Sequence, residues 1–423
     1  MSIKSILSLK TTTDFIYMFS SNILKKVFGF LREIILAFFF GSDILYANYL
    51  LLKTVSDFFS QLTLGSALQA NLLPKFTRIY NFSASVNLME VYSFSKYFSW
   101  KLFLLSQIIQ ITMIWYISPP NIGLYIILSI LLGFVMSVNF FNSIFLTALQ
   151  AKGEFKKHSV ATTLNLFVST IFLYPFALLF GIIGVVISRL VGVLTLTIKY
   201  IKPIIAESSG VKSSLSITDF NLSLMLLGNF ANIIMLVSRF VAGSDGSNNI
   251  TFYTYAVVLL SALLSAVIMN VNTIVLKMIT VKKDFKVILI SASIAVFMGV
   301  LLVVVFNLFS VEIISFVFER GAFTKNDTIE TASYIKDISW SFILIFLASA
   351  LFQPFFTLPQ SYLKINSKKL AITFTIAIVL LSGYFYFHNQ GARLNSLIMI
   401  YSLSFVSFIL SLIAFVKYYK HED

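Results

Sequence analysis

The chain has 423 residues, of which 58% are hydrophobic and only 11% charged, and its mean hydropathy is +0.92. A water-soluble globule of this size needs more polar surface, so the composition excludes one and predicts a polytopic membrane protein. Lys and Arg number 31 against 17 Asp and Glu, which gives a formal net charge of +14. In a membrane protein this excess is expected in cytoplasmic loops rather than at a nucleic-acid interface. Because the chain contains no cysteine, disulfides and thiolate metal sites are excluded.

Long apolar stretches, bounded by polar, Gly and Pro clusters, predict an all-α protein with twelve membrane-spanning helices. A cytoplasmic N-terminus places twenty Lys and Arg residues in the inner loops and three in the outer loops. The positive-inside rule therefore predicts that both termini are cytoplasmic, and we expect no removable signal peptide. The predicted spans are 14–40, 44–72, 91–117, 121–150, 160–180, 182–203, 215–242, 250–276, 286–309, 332–360, 370–387 and 394–416.

A weak internal repeat indicates two halves. FFFGSD at 38–43 recurs as FVAGSD at 240–245, in each case between two predicted helices. Because each copy follows the first predicted helix of its half, the two copies predict two parallel six-helix repeats. The N-terminal lobe covers 1–203, a cytoplasmic linker covers 204–214, and the C-terminal lobe covers 215–423.

Ionisable side chains inside the predicted spans form the candidate site, since such residues are costly in a bilayer and commonly face a polar pathway. Six of the eight are basic, which predicts a cavity that receives an anion. The seven-residue spacing places Lys25 and Arg32 on one face of the first helix. Gly29 lies between them and is a candidate hinge. The eight residues are Lys25, Lys26, Arg32, Glu33, Lys53, Asp57, Arg189 and Arg239.

Structural interpretations stay open for several of these residues. Lys53 and Asp57 have i,i+4 spacing and can neutralise each other. Arg239, near a helix end, is expected to reach the lipid headgroups, and Lys25 and Lys26 can do the same. The two remaining arginines lie far from the helix ends, and a guanidinium can bind two phosphate oxygens and stays charged. A phosphorylated lipid headgroup is therefore the predicted substrate.

No enzyme chemistry is indicated, and no cofactor is expected. The three histidines, His158, His388 and His421, are scattered, and there is no Walker A loop or nucleophile elbow. Pro354 and Pro359 are predicted to kink the tenth span and are further candidate hinges.

Two stretches resemble a known family. KKVFGFLREIILAFFFGSD at 25–43, with the sequence that continues to Phe76, resembles the start of the MurJ/MviN-type lipid II flippases of the MOP superfamily. FVFERGAFTKNDTIETA at 316–332 resembles their outward loop after the ninth helix. Within the predicted loop at 310–331, Asp327 and Glu330 are spaced to cap the following helix.

The resemblance implies a V of two six-helix lobes that opens a central cationic cavity alternately to each side of the membrane. It places the family's essential basic positions on Lys26 and Arg32, with Glu33 as the acidic neighbour. Together with the charge inventory, it predicts that Lys25, Lys26, Arg32, Lys53 and Arg189 bind the substrate, and that Glu33 and Asp57 orient them or couple an ion.

The predicted function is a flippase of the bacterial inner membrane for a polyprenyl-diphosphate-linked saccharide, driven by an ion gradient or the membrane potential. Its expected partners are membrane lipids and glycan-synthesis enzymes. The family's cavity charges are replaced here by Ala47, Ser60, Val258 and Ser261, and the predicted spans are two fewer. These departures favour a surface-polysaccharide repeat unit over lipid II. Alternatives are a MATE-type multidrug exporter, a membrane-embedded glycan polymerase or ligase, and a scaffold.

Overall fold

The computed structural model describes residues 9–63, 72, 76, 88–201, 221–263, 285–388 and 390–422. These ranges are helical and contain no strand, as the sequence predicts. A π-helical turn covers Thr197–Ile201, and a 3-10 turn covers Pro354–Thr357. The helices are α1 (Leu9–Phe40), α2 (Ile44–Thr63), α3 (Leu88–Ile117), α4 (Ile122–Ala151), α5 (Phe155–Ile171), α6 (Leu173–Leu196), α7 (Leu222–Gly228), α8 (Phe230–Ala242), α9 (Asn249–Leu263), α10 (Phe285–Phe318), α11 (Lys325–Phe352), α12 (Gln360–Phe387) and α13 (Ala392–Glu422).

Seven of the described helices are long and apolar enough to cross a membrane, and α7 with α8 makes an eighth if the pair is one bent span. The shorter α9 is also apolar. Neither α1 nor α2 is among the seven, because the ionisable side chains that they carry lower their hydropathy. The multi-pass character is therefore confirmed, whereas the count of twelve spans stays a prediction.

The helices form two compact units. The first contains Met1–Leu36 and Val55–Asn221, and the second contains Ala37–Thr54 and Leu222–Asp423. The predicted linker at 204–214 lies outside the described residues, so the division into six-helix lobes stays a prediction. The sequence did not indicate that the end of α1 and the first half of α2 belong with the C-terminal helices.

The first unit contains an antiparallel hairpin that turns at Gly181, where a φ of 55° and a ψ of −133° break α6. A Cβ on Gly184 would lie 1.8 Å from the carbonyl oxygen of Phe176, and one on Gly192 would lie 2.5 Å from that of Asn165. Gly184 faces Phe176 and Gly192 faces Asn165, so residue numbers rise along one stretch while they fall along the other. The two stretches therefore run in opposite directions. The break matches the predicted boundary between the fifth and sixth spans.

The predicted span at 215–242 is not one straight helix. In the described part of it, α7 and α8 are inclined to each other by 79°. The bend lies at Gly228 and Asn229, and Asn229 has a φ of −115° and a ψ of 15°. Gly and Asn both have low helix propensity, so this is the point where the helix breaks at least cost.

The predicted loop at 310–331 is mostly helical, which corrects the sequence-based boundary. The predicted end of the ninth span coincides with a kink at Phe309, where φ is −126° and ψ is 19°, but α10 then continues to Phe318. Because α11 begins at Lys325, only the turn 319–324 connects the two helices.

One of the two predicted caps of α11 is confirmed. Asp327 N–H donates to the Thr324 hydroxyl at 3.3 Å, and Thr324 N–H donates to the Asp327 carboxylate at 2.7 Å, forming a capping box. The prediction for Glu330 was wrong. Its carboxylate lies beyond the first turn and binds the Arg393 guanidinium at 2.9 Å.

The two prolines separate two helices instead of kinking one. Pro354 begins the 3-10 turn that follows the end of α11, and Pro359 is the N-cap of α12. Proline lacks the N–H that an inner helical position must donate, and it clashes with the preceding turn. The sequence-based bounds were therefore wrong here, and a hinge role for either proline stays a prediction.

Within the second unit, the turn after α1 contacts the turn before α11. Ala322 N–H donates to the Phe38 carbonyl at 2.8 Å. Each turn contains a glycine with positive φ, Gly41 at 48° and Gly321 at 60°. A Cβ on Gly41 would lie 2.3 Å from the Ala322 carbonyl oxygen, and one on Gly321 would lie 2.4 Å from that of Phe38. We call residues 38–43 and 319–327 the turn pair.

Side chains extend the contact within the turn pair. The Ser42 hydroxyl donates to the Asp327 carboxylate at 2.5 Å, and the Tyr255 hydroxyl donates to the Gly41 carbonyl at 3.3 Å. The Tyr255 ring packs against Phe318 and Phe323, with centroids 5.0 and 5.3 Å away. The turn pair thus brings together segments of the two stretches that carried the sequence resemblance.

We expect Gly41→Ala to destabilise the protein more than Gly246→Ala. Both glycines have positive φ, but a Cβ on Gly246 would meet no atom within 4 Å. Overpacking should therefore cost about 1–3 kcal/mol more at Gly41. Thermal unfolding of the two purified variants in one detergent measures this difference. Equal melting temperatures would show that the turn pair is not closely packed.

Candidate functional site

Arg32 connects α1 to α6 in the first unit. Its side chain is almost fully buried, and its Nη2 donates to the carbonyl of Val185 at 3.3 Å. A buried guanidinium requires hydrogen-bond acceptors, and a helical carbonyl can accept a second bond through its other lone pair. Arg32 is thus directed toward α6, as expected of a residue that faces a polar interior.

One helical turn beyond Val185, Arg189 meets α2. Its Nη2 lies 3.7 Å from the Asp57 carboxylate, and both side chains are about one-fifth exposed. The sequence left Lys53 as a possible partner of Asp57. The structure places Arg189 beside Asp57, and a pairing of Asp57 with Lys53 stays a prediction. Helices α1, α2 and α6 therefore bring three of the predicted site residues into one region of the first unit.

Hydroxyl groups also attach α1 to α5. The Ser21 hydroxyl lies 2.7 Å from that of Thr163, and Thr170 donates to the Phe28 carbonyl at 3.4 Å. In both pairs the residue on α5 follows its partner on α1 by the same number of positions, so the two helices run parallel. These contacts set the rotation of α1 and with it the direction of Arg32.

The remaining charges of α1 have a different environment. Lys25, Lys26 and Glu33 are half-buried, and in the described part of the chain none makes a hydrogen bond or an ion pair. Gly29 lies in an unbroken helix, and a Cβ there would meet no atom within 4 Å. No close contact therefore requires glycine at this position, and its role as a hinge stays a prediction.

The second unit contains the other two basic candidates, and here one expectation was wrong. Arg239 does not extend toward lipid headgroups. It is 8% exposed, and its Nε donates to the Thr54 hydroxyl at 2.8 Å. Lys53 precedes this threonine on α2 and is half-buried. A residue near a helix end faces the protein when its helix packs there, which a hydropathy pattern does not reveal.

The sequence inventory missed several intramembrane charges. Lys101 is exposed on α3, with its ammonium 4.3 Å from the centre of the Tyr97 ring. Lys336 and Asp337 lie on α11. They also fall within the predicted span 332–360, but the inventory did not include them. A systematic count of charges within each predicted span would have found all three.

Burial and the nearby Lys25 ammonium lower the pKa of His158, at the start of α5, to about 4. This histidine precedes the predicted fifth span and is therefore neutral at physiological pH. Within the described residues, no group of three or more His, Asp or Glu side chains could hold a metal ion.

No protein family model and no curated protein sequence matches this chain. Its structure, however, is similar to that of the lipid II flippase MurJ in an inward closed conformation, with 17% identity and a TM-score of 0.72. The match covers 96% of this chain and 90% of MurJ. This chain has the fold of the MOP superfamily transporters.

Other members of the superfamily support the same fold. An inward-facing multidrug-resistance MATE transporter matches with 14% identity and a TM-score of 0.68, covering 96% of this chain and 97% of the transporter. A transporter from Pyrococcus furiosus, described as having a binding pocket of reversed polarity, matches with 13% identity and a TM-score of 0.54. That match covers 98% of this chain and 94% of the transporter.

The low pKa of His158 predicts a pH-dependent stability. An unfolded histidine titrates near 6.5, so between pH 6.5 and about 4 the unfolded state binds more protons than the folded state. Stability therefore decreases as the pH is lowered through this range. Between pH 7.5 and pH 5, wild type should lose about 2 kcal/mol of stability because of His158, and the His158→Gln variant should not show this loss. Thermal unfolding across this range measures the effect. The exposed His388 provides a control, and His388→Gln should retain the wild-type profile.

Proposed function

We propose that this protein is a flippase that moves a polyprenyl-diphosphate-linked saccharide from the inner to the outer leaflet by alternating access. The observation that carries the proposal is the cationic character of α1 within a MOP fold. Lys25, Lys26 and Arg32 lie on one membrane-embedded helix, and Arg32 is buried. A diphosphate offers the negative charge and the paired oxygens that these groups bind best.

The balance of charge in the first unit supports an anionic substrate. Asp57 lies next to Arg189, whereas the two lysines of α1 form no ion pair within the described ranges. A surplus of cations in a low-dielectric setting attracts anions, since Coulomb interactions are strong where solvent screening is weak. The structural similarity to a lipid II flippase agrees with such a substrate. The saccharide belongs to lipid II or, in better agreement with the sequence departures, to a surface polysaccharide.

The same proposal includes the location and energy source. The distribution of Lys and Arg supports an orientation with both termini in the cytoplasm. The resemblance to the MurJ/MviN family supports the bacterial inner membrane as the location. Transport then uses an ion gradient or the membrane potential, with Glu33 and Asp57 as coupling or orienting groups. Membrane lipids and glycan-synthesis enzymes are the proposed partners, and no cofactor takes part.

A multidrug exporter is the second candidate, because the chain also matches a MATE transporter over nearly the full length of both proteins. An exporter of cationic drugs needs carboxylates in its cavity to attract them. Among the described residues of the first unit, four of the predicted site residues are basic and two are acidic, and this balance favours the flippase.

We expect Arg32→Ala to abolish complementation of a deletion strain in the native host. The deletion should accumulate one complete lipid-linked repeat unit, which mass spectrometry of extracted lipids identifies, and wild type should relieve the accumulation. Losing the charge-assisted hydrogen bonds of Arg32 should slow transport about 10- to 100-fold. Arg32→Lys should give an intermediate rate, since it keeps the charge but loses the bidentate geometry.

Lys101→Ala is the matched control, because it removes a cation from another helix of the same unit. The Lys101 side chain is exposed and so faces away from the protein. It should complement fully at an equal protein level by immunoblot. If no lipid-linked intermediate accumulates in the deletion strain, the flippase proposal is wrong and drug-susceptibility assays address the exporter. Full complementation by Arg32→Ala would instead favour a scaffold.

A further inference from the structure

A groove on the second unit, distant in sequence from the cationic segment of α1, has the properties of a lipid site. It has a volume of about 480 Å³ and lies between α10, α11 and α13. Its wall combines polar and aromatic side chains, namely Asn307, Lys336, Asp337, Trp340, Tyr401 and Ser402.

The groove lies where charged side chains give way to apolar ones. Asp337 is the last charged residue of α11, and no charged residue occurs between it and the end of that helix at Phe352. On α13, no charged residue occurs between Arg393 and Lys417. Trp340 and Tyr401 lie at this boundary and are 55% and 36% exposed. Amphipathic aromatic rings at such a level are typical of the membrane interface.

Several polar atoms in the groove have no protein partner within the described part of the chain. The Lys336 ammonium and the Ser402 hydroxyl make no hydrogen bond there. Asp337 uses one carboxylate oxygen, Oδ2, which lies 3.4 Å from Arg393, and its Oδ1 accepts no hydrogen bond. Next to hydrocarbon such groups are costly unless another molecule satisfies them.

Arg393 engages Asp337 only in part. Its guanidinium donates to Glu330 at 2.9 Å and to Ser333 at 2.6 Å, and it lies 4.6 Å from the centre of the Tyr334 ring. Arg393 therefore divides its charge between Glu330 and Asp337, and its contact with Asp337 is the longer of the two ion pairs, at 3.4 Å. The groove thus presents one cation, Lys336, and one partly engaged carboxylate, Asp337, on consecutive residues.

We propose that this groove binds a phospholipid whose zwitterionic headgroup carries a phosphate and a primary amine, as in phosphatidylethanolamine. The phosphate pairs with the Lys336 ammonium, and the lipid ammonium donates to Asp337. A net-anionic headgroup would leave Oδ1 of Asp337 without a donor, and a quaternary amine has no N–H to donate. The exposed apolar side chains of Trp340 and Leu394 lie beside the groove and provide a surface for an acyl chain.

This site goes beyond the proposed function and does not depend on it, because the test measures lipid binding without transport. The purified full-length protein is titrated in detergent with three lipids that have identical acyl chains, and native mass spectrometry counts the adducts. The headgroups are phosphoethanolamine, phosphocholine and phosphoglycerol. Wild type should bind the phosphoethanolamine lipid at least about fivefold more tightly than the other two.

Two variants separate the roles of the paired charges. Lys336→Gln should weaken binding of the phosphoethanolamine lipid about fivefold or more, because the phosphate loses its cation. Asp337→Asn should reduce the preference for phosphoethanolamine over phosphocholine to within about twofold. Lys325→Gln, at the exposed start of the same helix, is the matched control and should bind as wild type does.

Tighter binding of the phosphoglycerol lipid by wild type would overturn the proposal, because it would indicate a simple cationic site. Equal binding by Lys336→Gln and Lys325→Gln would overturn it as well. Melting temperatures of all variants establish that each is folded. Since Lys336 forms no hydrogen bond or ion pair in the described ranges, its substitution should leave the melting temperature unchanged.

Discussion

The buried guanidinium of Arg32 is the constraint on which the arrangement of the first unit depends. A permanently charged group that is buried must find acceptors inside the protein, because leaving it unsatisfied is costly. The Val185 carbonyl of α6 supplies one, and this fixes α1 against α6. One turn further along α6, Arg189 faces Asp57 of α2. Three helices thus meet because a charge on one of them requires polar neighbours.

This arrangement leaves an imbalance that is useful for an anion carrier. The charge of Arg189 is offset by Asp57, while Lys25 and Lys26 are only half-buried and form no ion pair in the described residues. A cation that already has an acidic partner is less available to a ligand, and a cation without one can bind an anion. The phosphorylated lipid headgroup proposed above has the sign of charge that these groups would bind.

In the second unit, the main constraint is close packing between two stretches of backbone rather than a buried charge. The turn pair depends on Gly41 and Gly321, each of which lets one turn approach the carbonyl of the other within a distance that excludes a Cβ. Because α1 is continuous from Leu9 to Phe40, it connects the segment that carries Arg32 to this close contact.

The sequence by itself determined the helical membrane class, the break at Gly181, the capping role of Asp327 and the basic character of α1, because these follow from local composition and backbone preference. It also carried the resemblance to the MOP fold. Tertiary structure alone decided that Asp57 pairs with Arg189, that Arg239 is buried against Thr54, and that Glu330 binds Arg393. Hydropathy and spacing show which residues share a helix face, but the partner on another helix depends on how the helices pack. For the same reason the sequence could not reveal the turn pair, in which Ser42 and Asp327 meet although 285 positions separate them along the chain.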